Sequence, residues 1–324
     1  MLNKLLSDGR IVKCVLTIDE IISLRNSARI MMGQTFDNGQ PLDMMKYAFY
    51  VMALQDSLNE KGVRSDSVWI LADHFIRDIN QESEAEVVRK QAESRRDYLE
   101  RLNTTYKGNI GVVLSSELTE EEDYKTNLDR LKKMARDDKT FRAMVLNAVP
   151  KDRRGNPKAV DYPLEELATI QSSGANIKVG PSYEKFYDEP AREFADFIEF
   201  RKYSAIHLTN CYPFGNPNLS PELRGEIEAF GVLPYKIGSK GLGEFRIDPV
   251  NDSLEKTERL ISETKDMRAL MDLAFIVNVA KARLNGMNFF ETLDFSYDVK
   301  KGSDKFKQKL MDDYAIYVRE VLTD

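Results

Sequence analysis

Three short apolar runs without polar alternation constrain this chain most: Arg29-Ile30-Met31-Met32, Ser67-Val68-Trp69-Ile70-Leu71-Ala72 and Gly111-Val112-Val113-Leu114-Ser115-Ser116. A strand with one wet face alternates apolar and polar residues, whereas a strand buried on both faces, as in a parallel sheet, does not. Helical patterns separate the runs. From Pro41 to Asn59, Met44, Met45, Ala48, Val51, Met52, Leu54 and Leu58 recur at helical spacing. A charged helix with few apolar positions is expected over 82–102, and another helix from about Glu120 to Met134. Strand, helix, strand, helix with crossovers of this length implies an α/β fold built on a doubly wound parallel sheet.

The stretch Pro150–Pro157 and the Pro/Gly-rich zone Cys211–Pro221 read as irregular. After Pro249 the pattern is helical over 254–264, 267–284 and 303–322. A division into residues 1–249, a catalytic-type α/β domain, and 250–324, a smaller C-terminal helical domain, is therefore expected, and 324 residues suffice for two domains. Charged residues make up 31% of the chain and hydrophobic ones 42%, which is a globular composition. No apolar run approaches the roughly 18–20 residues that span a bilayer, and Met1–Lys13 lacks the apolar core of a signal peptide. A cytoplasmic protein with no membrane partner is expected.

Cys14 and Cys211 alone build neither a disulfide framework nor a common four-ligand zinc site, so no metal site is expected. A net charge of -6 argues against broad nucleic-acid binding but leaves room for a local basic patch. Lys301, Lys305, Lys307 and Lys309 form either such a patch or a solvated helix face interleaved with Asp304, Asp312 and Asp313. Met31, Met32, Met44 and Met45 read as core packing. His207 and Cys211 share a strand face, but four residues of strand separate them by about 13 Å, too far for a nucleophile–base pair.

Several segments, read in order, carry a resemblance. They are Val15–Ile21, Val68-Trp69-Ile70-Leu71-Ala72-Asp73-His74-Phe75, Ser115-Ser116-Glu117-Leu118 with Asp123, Tyr124 and Asn127, and Tyr162-Pro163-Leu164. Val179-Gly180-Pro181-Ser182-Tyr183-Glu184-Lys185 with Ala191-Arg192-Glu193 comes next, and then Lys236-Ile237-Gly238-Ser239-Lys240-Gly241. In order and spacing these segments resemble the tyrosyl/tryptophanyl branch of class I aminoacyl-tRNA synthetases, the archaeal/eukaryotic tyrosyl type, over roughly residues 15–265. The last segment is similar to the second signature of that family, Lys-Met-Ser-Lys-Ser. The resemblance implies a Rossmann-like catalytic domain, ATP with Mg2+, an amino acid or similar small carboxylate, tRNA and a homodimer. It implies catalytic roles for Lys236, Ser239 and Lys240, and nucleotide contacts for Gly33, Gly39, His74 and Gly180. Tyr162, Glu166, Thr169 and Glu184 would read the substrate.

The chain departs from the family at two places. Where the family has His-Ile-Gly-His, whose imidazoles help stabilise charge on the α-phosphate, this sequence reads Leu42-Asp43-Met44-Met45, and its two histidines, His74 and His207, lie elsewhere. Removing one such electrostatic contact costs about 10²–10³ in rate. Where the family has a phenol-binding Asp and two Gln, Thr169, Glu166 and Glu184 stand instead. A buried phenol needs a partner, so tyrosine is disfavoured, and the two carboxylates suit a cationic or amine-rich ligand.

Each site residue has a second reading. Lys236 and Lys240 hold phosphates from a mobile Gly-rich loop or merely lie in an exposed basic one. His74 contacts a ligand or satisfies a turn, and Glu166 and Glu184 line a site or face solvent. The expected function is ATP-dependent activation of an amino acid, with transfer to tRNA or another acceptor. The alternatives are a non-catalytic paralogue that binds tRNA or protein, and an aminoacyl-tRNA-using transferase of the cyclodipeptide synthase kind. Helix 267–284 packs internally or forms the dimer contact.

Overall fold

The computed structural model describes residues 27–34, 41–60, 62–73, 85–147, 149, 154–179, 206–208, 247–265, 267–287 and 304–323. The expected strands are present as β1 (Ser27–Gln34), β2 (Arg64–Leu71) and β3 (Ile110–Leu114), joined by β4 (Ile177–Val179) and β5 (Ile206–Leu208). They form one sheet in the order β3-β2-β1-β4-β5 with every neighbouring pair parallel. The order reverses between β1 and β4, where Ile30 pairs with Ile177 and Met32 with Val179.

Helices cover both sheet faces, which is why the strand sequences do not alternate. On one face Ile30, Met32, Trp69, Leu71, Ile110 and Leu114 pack under α1 (Pro41–Glu60) and α2 (Ala85–Thr105). On the other, Met31, Val68, Ile70 and Val113 meet Leu118 of α3 (Ser115–Thr119) and Ile170 of α6 (Pro157–Ser172). Outside α6 lie α4 (Glu122–Asp137) and α5 (Lys139–Asn147), whose Tyr124, Leu131, Phe141 and Val145 enclose Leu164, Leu167 and Ala168.

α1 is buried almost all round, with Leu42, Met44, Met45, Phe49, Val51 and Met52 at 0–1% exposure. The C-terminal helices are the reason. α7 (Leu254–Glu263), α8 (Met267–Asn285), α9 (Asp304–Tyr314), a π-turn (Ala315–Arg319) and α10 (Glu320–Thr323) close over α1 and α2 and share their core. Leu270, Leu273, Ile276, Val277 and Val279 of α8 are at 0% exposure, so this face of the helix packs internally. Arg283 of α8 donates to the carbonyls of Met52 at 2.7 Å and Lys107 at 3.3 Å and pairs with Asp56 at 2.9 Å. Tyr106 donates its hydroxyl to the Tyr317 carbonyl of the π-turn at 2.9 Å.

Two sequence readings change here. Lys307 is no free member of a basic patch. Its Nζ donates at 2.8 Å to the carbonyls of Ser262 and Thr264 and so caps the end of α7. Ser115 and Ser116 do not extend β3 but open α3.

Among the described residues no helix is long and apolar enough to cross a membrane.

Candidate functional site

Open parallel sheets bind ligands beyond the carboxyl ends of their strands, where the strand order reverses. Here that point lies past Gly33 and Gln34 of β1 and Val179 of β4, with the start of α1 on one side of the sheet and α6 on the other. Gly33 pairs with Ile70, is exposed, and lies on the α6 side of β1, the side of Met31. A Cβ added there would sit 3.7 Å from Met31 Cε, an ordinary contact.

α1 begins at Pro41, whose ring suits the first helical position because no N–H is needed there. The residues standing where the family has its histidines are divided by burial. Leu42, Met44 and Met45 lie in the core, and Asp43 is half-buried in the first turn. A carboxylate there favours the helix by about 0.3–1 kcal/mol through the macrodipole, and opposes a phosphate at the same place.

A cation reaches that turn from α2. Arg95 Nη1 lies 3.2 Å from Met44 Sδ, and burial pushes its pKa below the ordinary guanidinium value. The sequence pattern hides Arg95 among the charges of a helix read as having few apolar positions. The signal was present, because Val88, Ala92, Leu99, Leu102 and Tyr106 recur at helical spacing and pack into the core, with Arg95 in the same stripe. An arginine in an apolar stripe marks a charge that the fold places beside a particular neighbour.

α6 starts at Pro157, five residues before Tyr162, where the segment that carries the resemblance opens, and holds Pro163 inside it. It runs antiparallel to β1, since its exit passes Arg29: a Cβ on Gly174 would lie 3.7 Å from Arg29 Cδ, and Asn176 Oδ1 accepts from Arg29 N at 2.9 Å. At 100° per residue, Tyr162, Glu166 and Thr169 share the helix face turned away from Leu164, Leu167 and Ala168, which pack on α4 and α5. Thr169 lies deepest, with Glu166 about 4.5 Å and Tyr162 about 10.5 Å nearer the strand ends. Thr169 is 2% exposed, and its hydroxyl donates to the Glu165 carbonyl at 2.8 Å. Tyr162 and Glu166 are half-buried.

The ends of β2 and β3 are tied by a second cluster. Asp73 Oδ1 accepts from Ser115 Oγ at 2.9 Å and Ser116 N at 2.8 Å, and Oδ2 accepts from Ser116 Oγ at 2.5 Å. Asp73 is thus the cap that turns Ser115 and Ser116 from strand into helix. Arg96 Nη2 donates to both Glu117 oxygens at 2.8 and 2.7 Å, and Glu117 accepts the Leu114 N–H at 3.0 Å.

Burial alone would raise the Glu117 pKa, but the hydrogen bonds from Arg96 and Leu114 outweigh it and hold it below the ordinary value. A depressed carboxylate pKa contributes stability above its unfolded value and loses it as pH falls through the folded one. Glu117→Gln is therefore expected to lower the melting temperature at neutral pH, with the gap closing below about pH 4. A gap of constant size across that range would contradict this assignment.

Lys236, Ser239, Lys240, Gly39, His74, Gly180 and Glu184 lie outside the described residues. Among the described residues no group of three or more His, Cys, Asp and Glu side chains is arranged to hold a metal ion.

No family model and no curated protein matches this sequence. Solved structures do. The tyrosyl-tRNA synthetase of Archaeoglobus fulgidus, complexed with L-tyrosine, superposes with a TM-score of 0.53 at 18% identity, covering 99% of each chain. That of Aeropyrum pernix gives 0.52 at 17%, covering 99% of this chain and 93% of the other. The tryptophanyl-tRNA synthetase of Plasmodium falciparum gives 0.50 at 13%, covering 93% and 76%. This chain has the fold of the tyrosyl/tryptophanyl branch of class I aminoacyl-tRNA synthetases.

Proposed function

We propose that this protein binds an amino acid, or a similar small carboxylate, where the strand order reverses between β1 and β4, and activates it with ATP. The observation that supports the reading is that Tyr162, Glu166 and Thr169 share one face of α6 in a synthetase fold. The A. fulgidus enzyme of the same fold was solved with L-tyrosine.

The turn that opens α1 fits a phosphate in two respects and opposes it in one. The N–H groups at the helix start and the Arg95 guanidinium favour an anion, and Asp43 disfavours it. In this reading Arg95, Lys236 and Lys240 would hold the triphosphate, Mg2+ bound with it would offset its charge, and Ser239 would help position the two lysines. When bound, ATP would supply the α-phosphate that the carboxylate attacks, the bond to the bridging oxygen of the β-phosphate breaking and pyrophosphate leaving. Glu166 and Tyr162 keep the substrate in reach of it. Transfer of the activated acyl group to tRNA, and a homodimeric assembly, belong to the same proposal.

Lys236→Ala is expected to reduce turnover by about 10²–10³ while leaving stability unchanged. MgATP is expected to raise the melting temperature of the parent by mass action. Unchanged turnover in the variant would remove the loop from the mechanism.

A second reading, a paralogue that binds tRNA or protein without catalysis, is favoured by one observation. Three of the four residues at the first-signature position, Leu42, Met44 and Met45, are core side chains. Under that reading ATP leaves the melting temperature where it was.

A further inference from the structure

We draw no further inference here: the strongest candidate, the surface patch of exposed cations Lys133, Arg136, Lys139 and Arg142 where α4 meets α5, carries nothing, because no observation in the structure shows what covers it and an RNA there would restate the tRNA partner already proposed.

Discussion

Arg95→Met is expected to reduce amino-acid-dependent exchange of pyrophosphate into ATP by about 10²–10³, with little change in melting temperature. Methionine keeps the volume and apolar character of a position in the stripe of Val88, Ala92 and Leu99, so packing against the core survives. What disappears is the guanidinium beside Met44 in the opening turn of α1. Burial lowers its pKa, yet an arginine so placed stays charged at neutral pH. It is thus a fixed cation near the position where the family's imidazoles act, and its removal reports on the charge rather than on the fold. Exchange at the parental rate would show that the guanidinium serves only α1 and α2.

The second large effect is one of stability. Arg283→Ala is expected to destabilise the protein by roughly 3 kcal/mol, seen as a lower urea midpoint at unchanged slope. The side chain is 16% exposed and joins α8 to Asp56 and the Met52 carbonyl of α1 and to the Lys107 carbonyl before β3. Removing it leaves Asp56 without this partner and two carbonyls with one donor fewer. A loss well under 1 kcal/mol would mean that the C-terminal helices sit on α1 by apolar packing alone.

The three strands were legible because burial on both faces leaves an unbroken apolar run, which few other local structures produce. α1 was legible from its helical spacing and from Pro41. What escaped the sequence has local physical causes. Ser115 and Ser116 stand directly after the apolar run of β3, and only the distant Asp73 carboxylate makes them a helix start. α6 begins at Pro157 because proline suits a first helical position, whereas the resemblance to the family begins there only at Tyr162. Lys307 looked like one charge among several, and its role depends on α7 ending beside it. On α6, Tyr162, Glu166 and Thr169 were singled out by the resemblance, whereas the bonding of Thr169 to its own helix left no mark in the sequence. Arg95 was hidden for the opposite reason: its charge masked its place in an apolar stripe.

The central claim is that this fold activates an amino acid without the histidine pair. Pyrophosphate exchange into ATP, measured with each of the twenty amino acids in the presence and absence of total tRNA, tests it most directly. Exchange driven by one amino acid other than tyrosine is the expected result. Silence under every condition, together with a melting temperature that MgATP does not raise, would contradict the claim and leave a protein that binds without activating.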